Sequence, residues 1–530
     1  MRPTHWVRHA HLLPATQRLA PVSHAPLLPA TQRLARVSAV SLVLSVMLML
    51  VAGFTGPSVT VPAFRSAFPW PPYTAPLHLF DVVVIGLAWI AVGIGGLGLV
   101  AGLVAARRGW RPAPRRLIIG CLLAVIALMV APPVGSTDML DYAIYGRIAA
   151  LGHSPYVMTP AQLTSSGDPV GKFSPPAWHR EHSVYGPIGT FSEQAASVLA
   201  GPSTAKTIFW LKVENALAFL AVALALDWLL RSDPAARTRA HLMWSVNPLM
   251  LWSVMGGGHI DGLAAAIGFL GLLMLRRLSI ARGLAAGLLI GVAIAIKVPF
   301  VFFLLGPAWA ARRSARTLAA AAVGAVVVPV TGYLLVGRGA LAAIVSRAAG
   351  SPDLDQPWQL LAEALRVHHA MTFINVVALV AVVVLAPVLL WRLPPGSPGP
   401  AGLPFVRPVL AVSLAWLVCT PQQRPWYDAM IFPLLALMPA TRLDWIVVVR
   451  ALTAAIGEVP GVGLRTGLHP HWLGNLVGVV VSGVVPVIFL AVITALIWLC
   501  ITGRWEPGGR AGPAGGGQPR PDLATSGVLG

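Results

Sequence analysis

Apolar residues run in long, nearly uncharged stretches from residue 36 to residue 502, and polar residues gather between them. The stretches fall at 36–55, 80–104, 117–134, 207–230, 241–256, 260–275, 283–311, 317–337, 371–391, 408–420, 427–440, 444–457 and 476–502. A spanning helix needs about 20 apolar residues. Backbone in lipid must also satisfy its own hydrogen bonds, which helices do within one segment. A membrane β-barrel would show short alternating segments instead. The pattern predicts an all-α integral membrane protein, a polytopic bundle of about 12–14 transmembrane helices with an extracytoplasmic loop region.

Charge fixes the expected sidedness. The short connections 105–116, 231–240, 276–282 and 312–316 carry five, three, three and three Arg. If all four face the cytoplasm, as basic loops of membrane proteins tend to, segment 283–311 must enter and leave on the same side. It is then read as a hairpin whose tip is Lys297-Val298-Pro299, which brings the total to 14 segments. Both termini come out cytoplasmic in a multi-pass plasma-membrane protein. Three long loops, 135–205, 338–370 and 458–475, come out extracytoplasmic.

Composition narrows the class further. Only 11% of residues are charged while 56% are hydrophobic, and the formal net charge is +20. Arg beside membrane ends accounts for that charge through topology and contact with anionic lipid, so no nucleic-acid partner is expected. Cys121, Cys419 and Cys500 lie in or beside apolar runs without metal or disulfide spacing and read as small fillers. The segment LLPATQRLA at 12–20 returns at 27–35. This 15-residue unit is too short and too interrupted by proline for a solenoid, so residues 1–35 read as a disordered cytoplasmic tail. The Gly- and Pro-rich 506–530 read as a second one. Residues 36–505 form the transmembrane domain.

The unusual polar chemistry lies on the expected outer side. In STDMLDYAIYGRIAALGHSPY (136–156), Asp138 and Asp141 are three apart and share a helix face. With Tyr142, Tyr145 and Arg147 beside them they suit general-base work and sugar binding, or alternatively a helix N-cap at Asp138. In WHREHSVYGPIGTFSEQ (178–194), His179, Arg180, Glu181, His182 and Tyr185 cluster without the helical spacing of a zinc site, and read as a surface or acceptor-binding loop. NPLMLWSVMGGGHIDG (247–262) ends a span in three glycines followed by His259 and Asp261, either a ligand-contacting turn or a tight interhelical one. Lys297 is an ionisable residue at membrane depth, a functional candidate or a snorkelling lysine. CTPQQRPWYD (419–428) places Arg424, Trp426, Tyr427 and Asp428 between two short spans, as a phosphate contact or as an interfacial anchor.

These motifs, in this order, resemble the actinobacterial C-type glycosyltransferases that use polyprenyl-phosphate mannose, specifically the α-1,6-mannosyltransferases of lipomannan core assembly. The resemblance rests on Asp138 to Tyr142, Gly146-Arg147, the Gly-His-Ser-Pro-Tyr stretch at 152–156, Tyr185-Gly186-Pro187, Asn247-Pro248, His259 with Asp261, Lys297-Val298-Pro299 and Pro425-Trp426-Tyr427. It covers roughly residues 36–500 and implies a GT-C transmembrane catalytic domain. It also implies an inverting transfer of mannose to a lipid-linked mannan acceptor. On that basis Asp138 is the expected general base and Asp141 an assistant. Tyr142, Arg147, Tyr185, His259, Asp261, Lys297, Arg424, Trp426 and Tyr427 are the expected substrate-binding residues, with membrane lipids as surroundings. The scheme requires no metal and leaves room for a divalent ion. A transferase for arabinose, glucose or another mannose linkage would share the fold. A transporter or lipid flippase would favour polar residues in mid-span and related halves.

Overall fold

The computed structural model describes residues 28–348, 350, 352–365, 371–395, 403–461, 464 and 467–506. The tail readings for 1–27 and 507–530 lie outside the described residues. The first helix, α1, runs Pro29–Phe54. It therefore takes in residues 29–35, which the sequence reading had placed in the tail. Pro29 at its first position costs no hydrogen bond, because that N–H has no helical partner.

The chain then forms α2 (Asp81–Arg107), α3 (Pro114–Val130), α4 (Asp138–Ala150), α5 (Pro160–Ser165), α6 (Pro187–Ala200) and α7 (Thr204–Leu229). Next come α8 (Pro234–Ala240), α9 (Pro248–Met250), α10 (Asp261–Met274), α11 (Ile280–Ile296), α12 (Leu305–Ala310) and α13 (Ala315–Val336). The remainder is α14 (Arg338–Ala348), α15 (Pro357–Leu365), α16 (Met371–Arg392), α17 (Val406–Cys419), α18 (Phe432–Ala436), α19 (Leu443–Glu458), α20 (His471–Val479) and α21 (Val485–Thr502). The protein is an all-α polytopic membrane protein.

Among the described residues six helices are singly long and apolar enough to cross a membrane: α1, α2, α7, α13, α16 and the continuous α20–α21. The other apolar stretches are shorter or broken. Residues 234–256 and 261–274 form a pair bent by 118°. The expected span 427–440 is not a spanning helix. It holds a 3₁₀ turn at Pro425–Met430 and the five-residue α18, because Pro425 and Pro433 lack the N–H that would carry a helix through. Segment 117–134 stops at Val130, ahead of Pro132-Pro133.

The hairpin at 283–311 is present. α11 and α13 pack side by side in the same direction, with Gly283 against Thr317, Gly287 against Ala321 and Gly291 against Ala325. Parallel neighbours require the chain between them to return. It does so after Lys297, as a 3₁₀ stretch Val298–Leu304 and α12, with Phe303 beside Gly268 and Gly306 beside Leu272. The contact is close because a Cβ on Gly287 would run into the Ala321 carbonyl oxygen. Small residues spaced by four let membrane helices approach in this way.

The four Arg-bearing connections share one end of the bundle. Arg107, Arg111, Asp233 and Arg239 line one cavity, Arg276 packs over the Trp228 ring, and Gly283 meets Thr317. Arg239 is buried there, donating to Asp444 and to the carbonyls of Leu435, Ala436 and Met438. The start of α4, the glycine turn at 257–260, the Lys297 tip and the turn at Pro425–Met430 lie together at the opposite end.

Candidate functional site

The loop 135–205 is ordered and helical. α4 and α6 pack against each other, and the first residue of α4 is Asp138. Asp138 is thus not the N-cap. Its backbone N–H donates to Ser136 Oγ, while its buried carboxylate lies 3.2 Å from His259 Nδ1. The glycine hairpin brings that histidine in. Gly258 has a left-handed backbone (φ 75°), and a Cβ there would strike the Met139 side chain, so the tip can turn onto α4 only as glycine.

His259 is in turn stacked flat on Trp426, with centroids 3.4 Å apart and planes 12° off parallel. Trp426 comes from the proline-broken turn after α17. One residue on, the Tyr427 ring sits beneath Lys297 Nζ at 4.6 Å. Lys297, at the tip of the α11 hairpin, donates to Asp261 Oδ2 at 2.6 Å, and Asp261 opens α10. Tyr185, just before α6, lies 6.0 Å from Lys297 Nζ and edge-on to Tyr142 at 4.9 Å. Five separate hairpins, turns or helix starts thus deliver one polar cluster: Asp138, Tyr142, Tyr185, His259, Asp261, Lys297, Trp426 and Tyr427.

Electrostatics divides the two carboxylates of α4. Burial pushes both up, because a carboxylate loses water. For Asp138 the contact with His259, aided by the charges of His259, Lys297 and Arg424, outweighs burial and holds it below the ordinary carboxylate value. Asp141 has no such partner. Burial, then the charges of Asp138 and Glu193, raises it well above the ordinary value, and neither of its oxygens has a hydrogen-bond partner among the described residues. The surroundings of Asp138 thus favour its ionised form and those of Asp141 its protonated form. Carboxylates driven apart in this way are the usual mark of divided acid–base roles.

Two expected ligand contacts are occupied or remote. Arg147 leaves the cluster along α4 and pairs with Asp168 at 2.9 Å, tying α4 to the loop after α5. Arg424 lies beside the cluster but is held by Asp353 at 2.8 Å and Glu458 at 3.4 Å, so its charge is shared before any ligand arrives. Asp428 is spent on a buried pair with Arg450.

The sequence reading missed Glu193 on α6, fully buried and, among the described residues, without a hydrogen-bond partner for either carboxylate oxygen. It also missed Lys212, which is buried on α7 and donates to the Ala131 carbonyl at 2.7 Å, just ahead of the turn into α4. A lone lysine inside an apolar span was the available signal for the second. Among the described residues no three of His, Cys, Asp and Glu come together as a metal-holding group.

Comparison with known proteins identifies the family. Residues 40–313, about half of the chain and containing Asp138, His259, Asp261 and Lys297, match the family model described as alpha-(1->6)-mannopyranosyltransferase, N-terminal domain. Similar relatives include the alpha-(1->6)-mannopyranosyltransferase B of Corynebacterium glutamicum, 23% identical over 194 residues, 36% of this chain and 32% of that protein. A probable alpha-(1->6)-mannopyranosyltransferase of Mycolicibacterium smegmatis is 28% identical over 183 residues, 34% of this chain and 31% of that protein. An alpha-(1->6)-mannopyranosyltransferase of Mycobacterium tuberculosis is 23% identical over 141 residues, 27% of this chain and 24% of that protein. The matched stretch spans about a third or less of the length of these curated relatives. With half of its length under the family model, the chain belongs to the alpha-(1->6)-mannopyranosyltransferase family.

Proposed function

We propose that the protein is an inverting mannosyltransferase. It takes mannose from polyprenyl-phosphate mannose and adds it in α-1,6 linkage to a lipid-linked mannan acceptor at the outer face of the plasma membrane. The observation that carries this reading is Asp138: a buried, ionised carboxylate at the mouth of a membrane bundle, oriented by His259 and faced by Lys297. Family membership supplies the sugar and linkage. The placement of the site at the end opposite the Arg-rich connections supports an outward-facing centre.

In this mechanism Asp138 accepts the proton of the acceptor hydroxyl as its oxygen attacks the anomeric carbon. The bond from that carbon to the lipid phosphate oxygen breaks on the opposite side, so a β-linked donor gives an α-linked product. Lipid phosphate departs as an anion and needs little acid assistance. Lys297 has three N–H donors, one of them on Asp261, which leaves two for the departing phosphate. Cations fixed in a dry site stabilise developing negative charge without reorganisation. Arg424, already held by two acids, contributes its field more than its hydrogen bonds. Tyr142, Tyr185 and the Trp426–His259 stack wall the sugar position.

The test is transfer by membranes containing the protein, given polyprenyl-phosphate [¹⁴C]mannose and an α-1,6-mannoside acceptor. Label should enter the acceptor in a linkage cut by α-1,6-mannosidase, and Lys297→Gln should lower kcat about 10²-fold, the typical effect of removing one such charge-stabilising donor. Transfer from a nucleotide-activated mannose with none from the lipid donor contradicts the proposal.

A further inference from the structure

A second cavity opens beside the polar cluster. It measures about 780 Å³ and lies between the 177–184 loop and α14, near the upper end of the roughly 300–1,000 Å³ typical of ligand pockets. One wall is α14. Gly339, Ala342, Ala343 and Ser346 face the cavity at helical spacing, while Leu341 and Val345 are 52% and 67% exposed on the other side. Under the proposed orientation, a helix with one small-residue face and one bare apolar face lies along the lipid surface. The opposite wall holds Trp178 and Glu181, and Tyr156 closes one side. Trp178 Nε1 is buried with no acceptor among the described residues, and Arg347 reaches from α14 to within 5.4 Å of the Trp178 ring. The cavity runs to Arg424, two residues before the Trp426 that stacks on His259.

We infer that this cavity is a subsite for the growing glycan, holding the sugars of the acceptor chain behind the one that receives mannose. The inference rests on the proposed transferase reading. The cavity exceeds what one sugar fills, and its chemistry suits a neutral polyol. An indole face, negative at its centre, meets the C–H face of a pyranose, while Glu181 accepts from hydroxyls. An anionic headgroup is disfavoured here, because Glu181 and Asp353 line the cavity, Arg424 is already bound by Asp353 and Glu458, and Arg347 lies over the Trp178 ring. The position along the lipid surface fits an acceptor that is itself anchored in the membrane.

The experiment uses the full chain in nanodiscs. Fluorescence anisotropy reads binding of labelled α-1,6-mannotetraose, with labelled maltotetraose and vesicles of anionic phospholipid as competing probes. Wild type should bind the mannotetraose, Trp178→Ala should weaken it about tenfold, and Trp178→Phe should keep most of the affinity, which also controls for folding. In transfer assays the wild-type KM should fall from mannobiose to mannotetraose, and Trp178→Ala should erase that length dependence. Equal mannotetraose affinity in wild type and Trp178→Ala overturns the subsite, as does displacement of the mannotetraose by lipid or maltotetraose at equal concentration. Binding through Trp178 without any mannosyl transfer upholds the glycan site while overturning the transferase. Transfer with a length dependence that ignores Trp178 does the reverse.

Discussion

At the residue scale, the site depends on Asp138 and Asp141 being unlike each other although they share a helix face. Asp138 has His259 against it, whereas Asp141 is acted on by burial and by the charges of Asp138 and Glu193. The consequence for stability has a definite sign. Asp141 keeps its proton in the folded protein at pH values where the unfolded chain, titrating near the ordinary value of about 3.9, has lost it. Stability from this group is therefore complete below about pH 4 and is lost as pH rises toward its raised folded value. Asp141→Asn mimics the neutral acid and removes that slope. The thermal midpoint of the purified variant should match or exceed wild type at pH 8 and vary less between pH 4.5 and 8. Parallel curves for the two proteins would refute the neutral assignment. The Asp138–Asp141 spacing and Lys297 were legible in the sequence because each is an ionisable residue at an apolar boundary. Their partners were not. Lys297 pairs with Asp261 36 positions away, and Arg424 with Asp353 and Glu458 71 and 34 positions away. No local pattern encodes such distances, and Arg424 reads from sequence as a phosphate contact or an interfacial anchor, not as the partner of Asp353 and Glu458.

At the element scale, the hairpin at Lys297 follows from two features with different origins. Arg counts in the short loops demanded that 283–311 return to its own side. Gly283, Gly287 and Gly291 then let α11 lie directly on α13. Gly287→Leu should force these helices apart, since its side chain would occupy the Ala321 backbone. Overpacking of this kind costs about 1–3 kcal/mol or more. The yield of folded, monodisperse protein in detergent should fall, and gel filtration checks it. Wild-type yield and elution would mean that the parallel pairing is not close. Sequence pattern failed at 427–440, where a run of apolar residues looked like a span. Hydropathy does not register that Pro425 and Pro433 break the helix, and the resulting turn is what carries Trp426 onto His259.

At the scale of the whole molecule, charge is polarised along the bundle. The basic connections gather at one end around Asp444 and Asp233, and the paired acid–base cluster occupies the other. Under the proposed orientation the exposed loop around α5 faces outward. Ser165→Cys should react with a membrane-impermeant thiol reagent in intact cells, against a low background because Cys121, Cys419 and Cys500 are all buried. Labelling only after lysis would reverse the orientation. The central claim concerns Asp138 itself, and mannose transfer from polyprenyl-phosphate [¹⁴C]mannose by wild type and Asp138→Asn, in membranes with matched protein content, tests it most directly. The account predicts that the variant inserts normally and loses about 10²–10⁴-fold in rate, the worth of a general base. Turnover of Asp138→Asn at the wild-type rate would contradict it.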